Sequence, residues 1–261
     1  MPGGPPAGQG TQERFSKAAD HYDSHARVQR AAAQGLWAWG QGLLPASYQP
    51  KATLDIGCGT GFMSSLLLEQ WPEAPLHAID IAPGMLEVVR ERLGGRPVTT
   101  HLMDGETLSV EHLWLPSDSL LVSGMCAQWF KSLEEALRKW LSVSNTVLFS
   151  LLLDGSFEAW LQAHEETRQQ PGLRELPTAM QVKSLLHTLQ DEGLCFEARF
   201  KEHQFLDHHP DGLSFARSLR AIGADQPRPS HRPVNLRRVI EAVGPACTMN
   251  YQVAYCYLRR A

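Results

Sequence analysis

At 261 residues, with 43% hydrophobic and 20% charged residues, the chain has room for one large α/β domain or two small ones, each with an apolar core. A net charge of −4 argues against a general nucleic-acid binder, while leaving room for a local basic face. The five cysteines (Cys58, Cys126, Cys195, Cys247, Cys256) are odd in number and form no C-x-x-C pair, so a reduced cytosolic setting fits better than a disulfide framework or a zinc site.

Met1 to Gly10 is rich in Pro and Gly and is expected to be a disordered leader, with no signal-peptide pattern. From Thr11, a plausible N-cap, a helix places Phe15, Ala18, Ala19 and Tyr22 on one face. A second helix, about His25 to Leu44, stops at Pro45. Both precede the first strand, so residues 11–45 read as a helical cap on an α/β core. Tyr22 on this cap is either simple packing or a site residue.

Ala52 to Ile56 is a short apolar run carrying one acid, the pattern of a buried parallel strand. Gly57, Gly59 and Gly61 follow, and then a helical pattern opens at Phe62. A strand turning through glycines into a helix aims free backbone N–H groups at whatever lies above the turn. A dinucleotide fingerprint would need a third glycine at position 62, where Phe62 stands. The second strand, Leu76 to Asp80, ends in an acid, where such folds bind ribose hydroxyls. A helix from Pro83 closes at Gly94-Gly95, and a third strand, Val98 to Met103, ends at Asp104-Gly105-Glu106.

Ser119 to Ser123 is a fourth strand, followed by the loop Gly124 to Phe130. A helix from Ser132 leads to a fifth strand, Thr146 to Leu152. The apolar run there, Val147 to Leu153, is interrupted by Ser150 and too short to span a bilayer, so no membrane association is expected. Strands alternating with helices predict an open, doubly wound, mostly parallel sheet with ligands at the strands' C-terminal ends. Gly155 to Glu192 is helical and too long for an ordinary connection, and it is expected to form a lid over the site. Phe196 to Leu206 and Thr248 to Leu258 add two strands, seven in all, with helices at His209 to Ile222 and Pro233 to Ala242 between them. Residues 11–261 thus read as one domain. The adjacent His208-His209 pair has no evident third partner, so a structural role outweighs a metal site.

The pattern D-x-G-x-G-x-G at 55–61 closely resembles the first motif of class I S-adenosylmethionine (SAM)-dependent methyltransferases. More of the chain is similar to the malonyl-[acyl-carrier protein] O-methyltransferase family, which methylates the free carboxyl of a malonyl thioester early in biotin synthesis. The matching pieces are Phe15 to Tyr22 with Val28-Gln-Arg30, Leu54 to Gly61, Asp80 to Leu86, Asp104-Gly-Glu106, Gln128-Trp-Phe130, Gly155-Ser-Phe157, Ser218 to Ala224 and Tyr251-Gln-Val253. Two departures stand out: Val143-Ser-Asn145 replaces a Pro-Gly-Gly turn, and Arg220 stands where lysine is usual. The resemblance implies a Rossmann-like fold with SAM held by Asp55, Gly57, Gly59, Gly61, Asp80, Ile81, Met85, Asp104 and Gly105. It also implies Tyr22, Gln128, Trp129 and Arg220 on the acceptor side, and an acyl-carrier protein bearing a malonyl thioester as partner.

The residues add their own argument. No acid pair, Cys–His dyad or metal cluster demands proton abstraction, which suits an acceptor already ionised, such as a carboxylate. Trp129-Phe130 is either an aromatic wall for a cationic sulfur or packing for the next helix. Arg220, on a late helix, is the expected partner of the acceptor carboxylate, with a surface contact to the carrier as its rival role. From Lys201 onward nine Lys/Arg face five acids, either a docking face for an acidic carrier or an ordinary solvated surface. Two other functions stay open: a methyltransferase of a free small acid or quinone precursor, and a SAM-binding subunit without catalysis.

Overall fold

The computed structural model describes residues 9–108, 113, 115–116, 118–228 and 231–260, and the expected leader lies mostly outside them. Ala52–Ile56 forms strand β1 and is buried along its whole length. Such a strand needs a pairing partner on each edge and cover on each face. Its edges are taken by β2 (Leu76–Asp80) and β4 (Ser119–Ser123), both parallel to it. β3 (Val98–Leu102) and β5 (Thr146–Leu152) continue the parallel sheet outward. β7 (Pro245–Arg259) then runs antiparallel between β5 and β6 (Glu197–Asp211). The order β3-β2-β1-β4-β5-β7-β6 is the doubly wound, mostly parallel seven-stranded sheet expected from the alternation. Its direction of winding reverses between β1 and β4, where a ligand crevice opens.

Two apolar cores cover the sheet. One takes α2 (Arg27–Gln41), α3 (Phe62–Gln70) and α4 (Pro83–Leu93), and the other takes α5 (Leu133–Val143) and α7 (Ala179–Asp191). Trp140 of α5 is fully buried, and its indole N–H donates to the Gly105 carbonyl at 2.9 Å. That bond ties the second core to the end of β3.

Four expectations change. The two first helices do not act as one cap. α2 buries Val28, Leu36 and Trp37 against the sheet, and at Gly40 a Cβ would lie 2.4 Å from Leu148. α1 (Gln9–His25) reaches over the crevice, packing on α4 and on α8 (Gly212–Ala221), and α2 adds Gln29 to the crevice wall. Thr11 lies inside α1 rather than at its cap, and its hydroxyl is bonded to Gln226.

The expected lid at 155–192 is likewise divided. α6 (Glu158–Glu166) packs on β7 and on α9 (Leu236–Val243), while Val182, Leu186 and Leu189 of α7 fill the core beside Trp140. Phe157, just before α6, and the loop between α6 and α7 turn toward the crevice.

His209, expected to begin a helix, lies in β6 opposite Cys247, because β6 and β7 form a long ribbon that runs past the end of β5. The helix begins only after Asp211, whose carboxylate accepts from the Ser214 N–H at 2.7 Å. His208 meets the Thr248 hydroxyl at 2.8 Å and His209 packs on Phe215.

The docking of α1 rests on a glycine. A Cβ on Gly84, at the start of α4, would sit 2.6 Å from the Ser16 carbonyl oxygen, and the Gly84 N–H donates to the Ser16 hydroxyl at 3.2 Å. Gly84→Ala is therefore expected to push α1 off α4, at an overpacking cost of about 1–3 kcal/mol. Thermal unfolding with limited proteolysis should show a lower Tm and faster cleavage within residues 9–25. An unchanged Tm and cleavage pattern would mean that α1 is not held at this contact.

Candidate active site

The glycine turn after β1 is built from left-handed backbone: Gly57, Gly59 and Gly61 have φ of 65°, 52° and 83°. At Gly57 a Cβ would fall 2.2 Å from the Cys126 sulfur, so only glycine lets the turn pass beneath the loop after β4. Around Gly59 nothing among the described residues lies within 4 Å of where a Cβ would be, and that face of the backbone is open to the crevice. Gly61 points the other way, toward Val89 of α4, and caps α3.

Asp80 ends β2 and locks the turn. Its carboxylate accepts from the Gly59 N–H at 2.9 Å and from the Ala82 N–H at 2.8 Å. Burial raises its pKa and these backbone donors oppose the shift. Asp55 lies deeper, 1% exposed, and accepts from the Ser64 hydroxyl at 2.6 Å.

The cleft formed here holds about 1000 Å³ measured to its open mouth. Of the expected cofactor residues, Gly57, Gly59, Asp80, Ile81, Met85, Asp104 and Gly105 line it. Asp55 borders a smaller cavity beneath the turn, and Gly61 borders neither. Glu106 fixes the far wall, where its carboxylate accepts from the Lys131 and Ser132 N–H groups at 2.9 and 2.8 Å.

A second chamber of about 750 Å³ adjoins the first, and the two share Phe15, Tyr22, Met125, Trp129 and Arg174. Its remaining walls are largely apolar, among them Leu152, Phe157, Leu173, Leu219, Ile222 and Tyr251. Met125 (φ 52°) and Phe157 (φ 63°) hold left-handed backbone that costs non-glycine residues about 1–3 kcal/mol. Neighbours hold both in place. The Met125 N–H donates to the Ser150 hydroxyl and carbonyl at 3.0 and 3.1 Å, and the Phe157 N–H donates to the Asn250 carbonyl at 2.8 Å.

The acceptor-side expectations divide. Tyr22 stands between the two cavities, and burial pushes its hydroxyl pKa up, with the Asp80 charge adding to the shift. Trp129 borders both cavities. Gln128 borders only the second, its amide N–H donating to the Met125 carbonyl at 2.7 Å.

Arg220 borders neither. Its side chain is 81% exposed and lies 3.7 Å from Asp225. The reason is helical phase: Phe215, Leu219 and Ile222 form the inward stripe of α8, and Arg220 follows Leu219 by about 100° of rotation. The cation that borders both cavities, Arg174, comes from the loop after α6, where no periodicity marks it in the sequence, while Lys131 borders the first cavity.

Comparison with known proteins agrees with this geometry. A family described as a methyltransferase domain matches residues 53–146. The chain is 30% identical to the malonyl-[acyl-carrier protein] O-methyltransferase of Anoxybacillus flavithermus, over 82% of this chain and 79% of that one. It is 32% identical to the protein of the same name from Magnetococcus marinus, over 83% and 80%. It also matches the biotin biosynthesis bifunctional protein BioCD of Bordetella avium at 33% identity over 95% of its own length, spanning about half (52%) of that longer relative. In fold it is similar to the plantazolicin methyltransferase BpumL solved with S-adenosylhomocysteine (SAH), with a TM-score of 0.57 and 16% identity over 96% of this chain and 95% of that one.

Sheet order, glycine turn and acidic strand ends together define a class I SAM-dependent methyltransferase. A cleft with bare glycine backbone on one side and carboxylates at the ends of β2 and β3 fits that cofactor. Within the class, the chain belongs to the malonyl-[acyl-carrier protein] O-methyltransferase family.

Burial beneath the turn, with the Asp80 charge adding, pushes the Asp55 carboxyl up to about 7 against the Ser64 hydrogen bond. An acid raised on folding binds more protons folded than unfolded, so its contribution to stability falls as pH rises from about 4 to 7. Asp55→Asn keeps an acceptor for Ser64 but removes the charge. In urea unfolding the variant should gain on the parent between pH 5 and 7, by at most about 1.4 kcal/mol per pH unit. A constant difference across that range would place the Asp55 pKa outside it.

Proposed function

We propose that the chain transfers a methyl group from SAM to the free carboxylate of a malonyl group carried on an acyl-carrier protein, the step that primes biotin synthesis. The observation that carries this reading is the composition of the second chamber. Among the described residues, its lining holds no Asp, Glu, His, Lys or Cys. Its two phenols, Tyr22 and Tyr251, have pKa values raised by burial and are not bases at neutral pH. An alcohol, phenol or carbon acceptor must lose a proton, and nothing here is suited to take it. A carboxylate of pKa about 4 is already ionised and needs only orientation and water exclusion.

When bound, SAM supplies a methyl on cationic sulfur, so a new bond to a carboxylate oxygen is balanced by the carbon–sulfur pair returning to sulfur, and no proton moves. The chain's residues position the reactants. Asp80, with Gly57 and Gly59, would hold the cofactor's ribose and amino-acid portion, and Asp104 and Gly105 would hold the adenine. Tyr22 and Trp129 close the boundary between the cavities and keep water from it. The names of the Anoxybacillus flavithermus and Magnetococcus marinus relatives support malonyl-carrier protein over other acids.

Two measurements check this reading. Asp80→Ala removes a charged acceptor, so calorimetry should show SAM binding weakened about 10-fold to 100-fold, the effect of losing about 1.5–3 kcal/mol. Affinity equal to that of the parent would place the ribose elsewhere. In a methyl-transfer assay, malonyl-carrier protein should be converted with a kcat/KM at least about 10-fold above that of free malonate, since only the carrier brings a docking surface. Equal rates would indicate a free-acid methyltransferase, and SAM binding without SAH production on any acid would indicate a non-catalytic subunit.

A further inference from the structure

The boundary between the two cavities contains one full positive charge, and it lacks an anion. Arg174 lies in the loop between α6 and α7 and borders both cavities. Its guanidinium lies over the Trp129 ring at 5.2 Å, and one terminal N–H group donates to the Trp129 carbonyl at 3.3 Å. Its Nε is buried and, among the described residues, has no hydrogen-bond partner. Among the described residues no carboxylate lies within 4.0 Å of it, although Arg14, Arg27, Arg92 and Arg138 are all paired. A guanidinium held in this way is poorly satisfied, because its planar fork has several donors and only one is used. A bidentate carboxylate would use the remaining donors and match the charge.

We propose that Arg174 is the substrate-binding residue that grips the acceptor carboxylate, a proposal that rests on the carboxyl-methylation reading above. Trp129 holds the guanidinium from one side through its ring and its carbonyl, so the fork is oriented before substrate arrives. The carboxylate enters an apolar chamber and loses hydration, which Arg174 replaces with charge-assisted hydrogen bonds. Methylation removes the acceptor's charge and with it the ion pair. The same residue therefore favours the anionic substrate over the neutral ester product and helps the product leave. The role expected of Arg220 from the sequence falls to an arginine on a different element.

The test uses the full chain with Arg174→Met and Arg174→Lys, assayed on malonyl-coenzyme A and on malonyl-carrier protein. Arg174→Met should lower kcat/KM by about 10-fold to 100-fold on both substrates, while SAH affinity and Tm stay near those of the parent. Arg174→Lys should recover part of the loss, since it keeps the charge but not the fork. In the SAH complex the parent should bind malonyl-coenzyme A at least about 10-fold more tightly than its methyl ester, and Arg174→Met should lose that preference. Parental kcat/KM in Arg174→Met overturns the proposal. So does a loss matched by weaker SAH binding and lower Tm with the anion preference intact, because Arg174 would then only brace Trp129. A parent enzyme that methylates no malonyl thioester removes the underlying reading itself, and that result is visible before any variant is made.

Discussion

The site depends on the carboxylate of Asp80. It joins two strand ends by accepting one N–H from the glycine turn after β1 and one from the residues after β2, beside the Gly57 and Cys58 N–H groups that donate to the Ile79 carbonyl. A buried carboxylate is stable only when such donors surround it. Conversely, the left-handed turn at Gly59 keeps its shape because the acid holds it. Gly57 completes the arrangement, since its missing side chain admits Cys126 and brings the loop after β4 down onto the turn. From that loop come Met125, Gln128 and Trp129, so the acceptor wall is built outward from the cofactor cradle.

The acceptor chamber contrasts with that cradle. The first cavity carries the carboxylates Asp80, Asp104 and Glu106 among its apolar walls, whereas the second has none and is mainly aromatic and aliphatic, with strained residues at two corners. Met125 and Phe157 keep their left-handed backbone because β5 and the overhanging half of β7 supply Ser150 and Asn250 as partners. The long β6–β7 ribbon therefore positions residues as well as closing the sheet: it carries Tyr251 and Asn250 past the end of β5 and under α6 and α8. The chemistry follows from this apolar character. A chamber without a base selects an acceptor that arrives ionised, and an apolar wall makes the charge of that acceptor costly unless a cation meets it.

The cover over the site is composite. α1 contributes Phe15 and Tyr22, α8 contributes Leu219 and Ile222, and the loop before α7 contributes Leu173 and Arg174. α8 and the loop before α7 follow β5 in the chain, while α1 is held on α4, beside the half of the sheet that carries Gly57, Gly59 and Asp80.

The sequence by itself determined the parallel strands, their order of chemistry and most of the cradle. β1, β2, β4 and β5 fall on the expected residues, because a buried strand followed by glycines or an acid is a local pattern that needs no distant partner. Gly57, Gly59, Asp80 and Asp104 were legible for the same reason: positive φ and strand-end carboxylates are properties of short segments. Tertiary packing decided the rest. It packed α2 mainly on the sheet and laid α1 over the crevice beside α8 and the loop before α7, and it extended β6 through His209 because β7 offered it a partner that far. It also chose between two arginines. The inward stripe of α8 was already filled by Phe215, Leu219 and Ile222, which turned Arg220 to solvent. Arg174, on a loop with no period of its own, came into the site because the Trp129 ring and carbonyl lay there to receive it. A loop side chain takes its place from its neighbours, and those neighbours are distant in the chain.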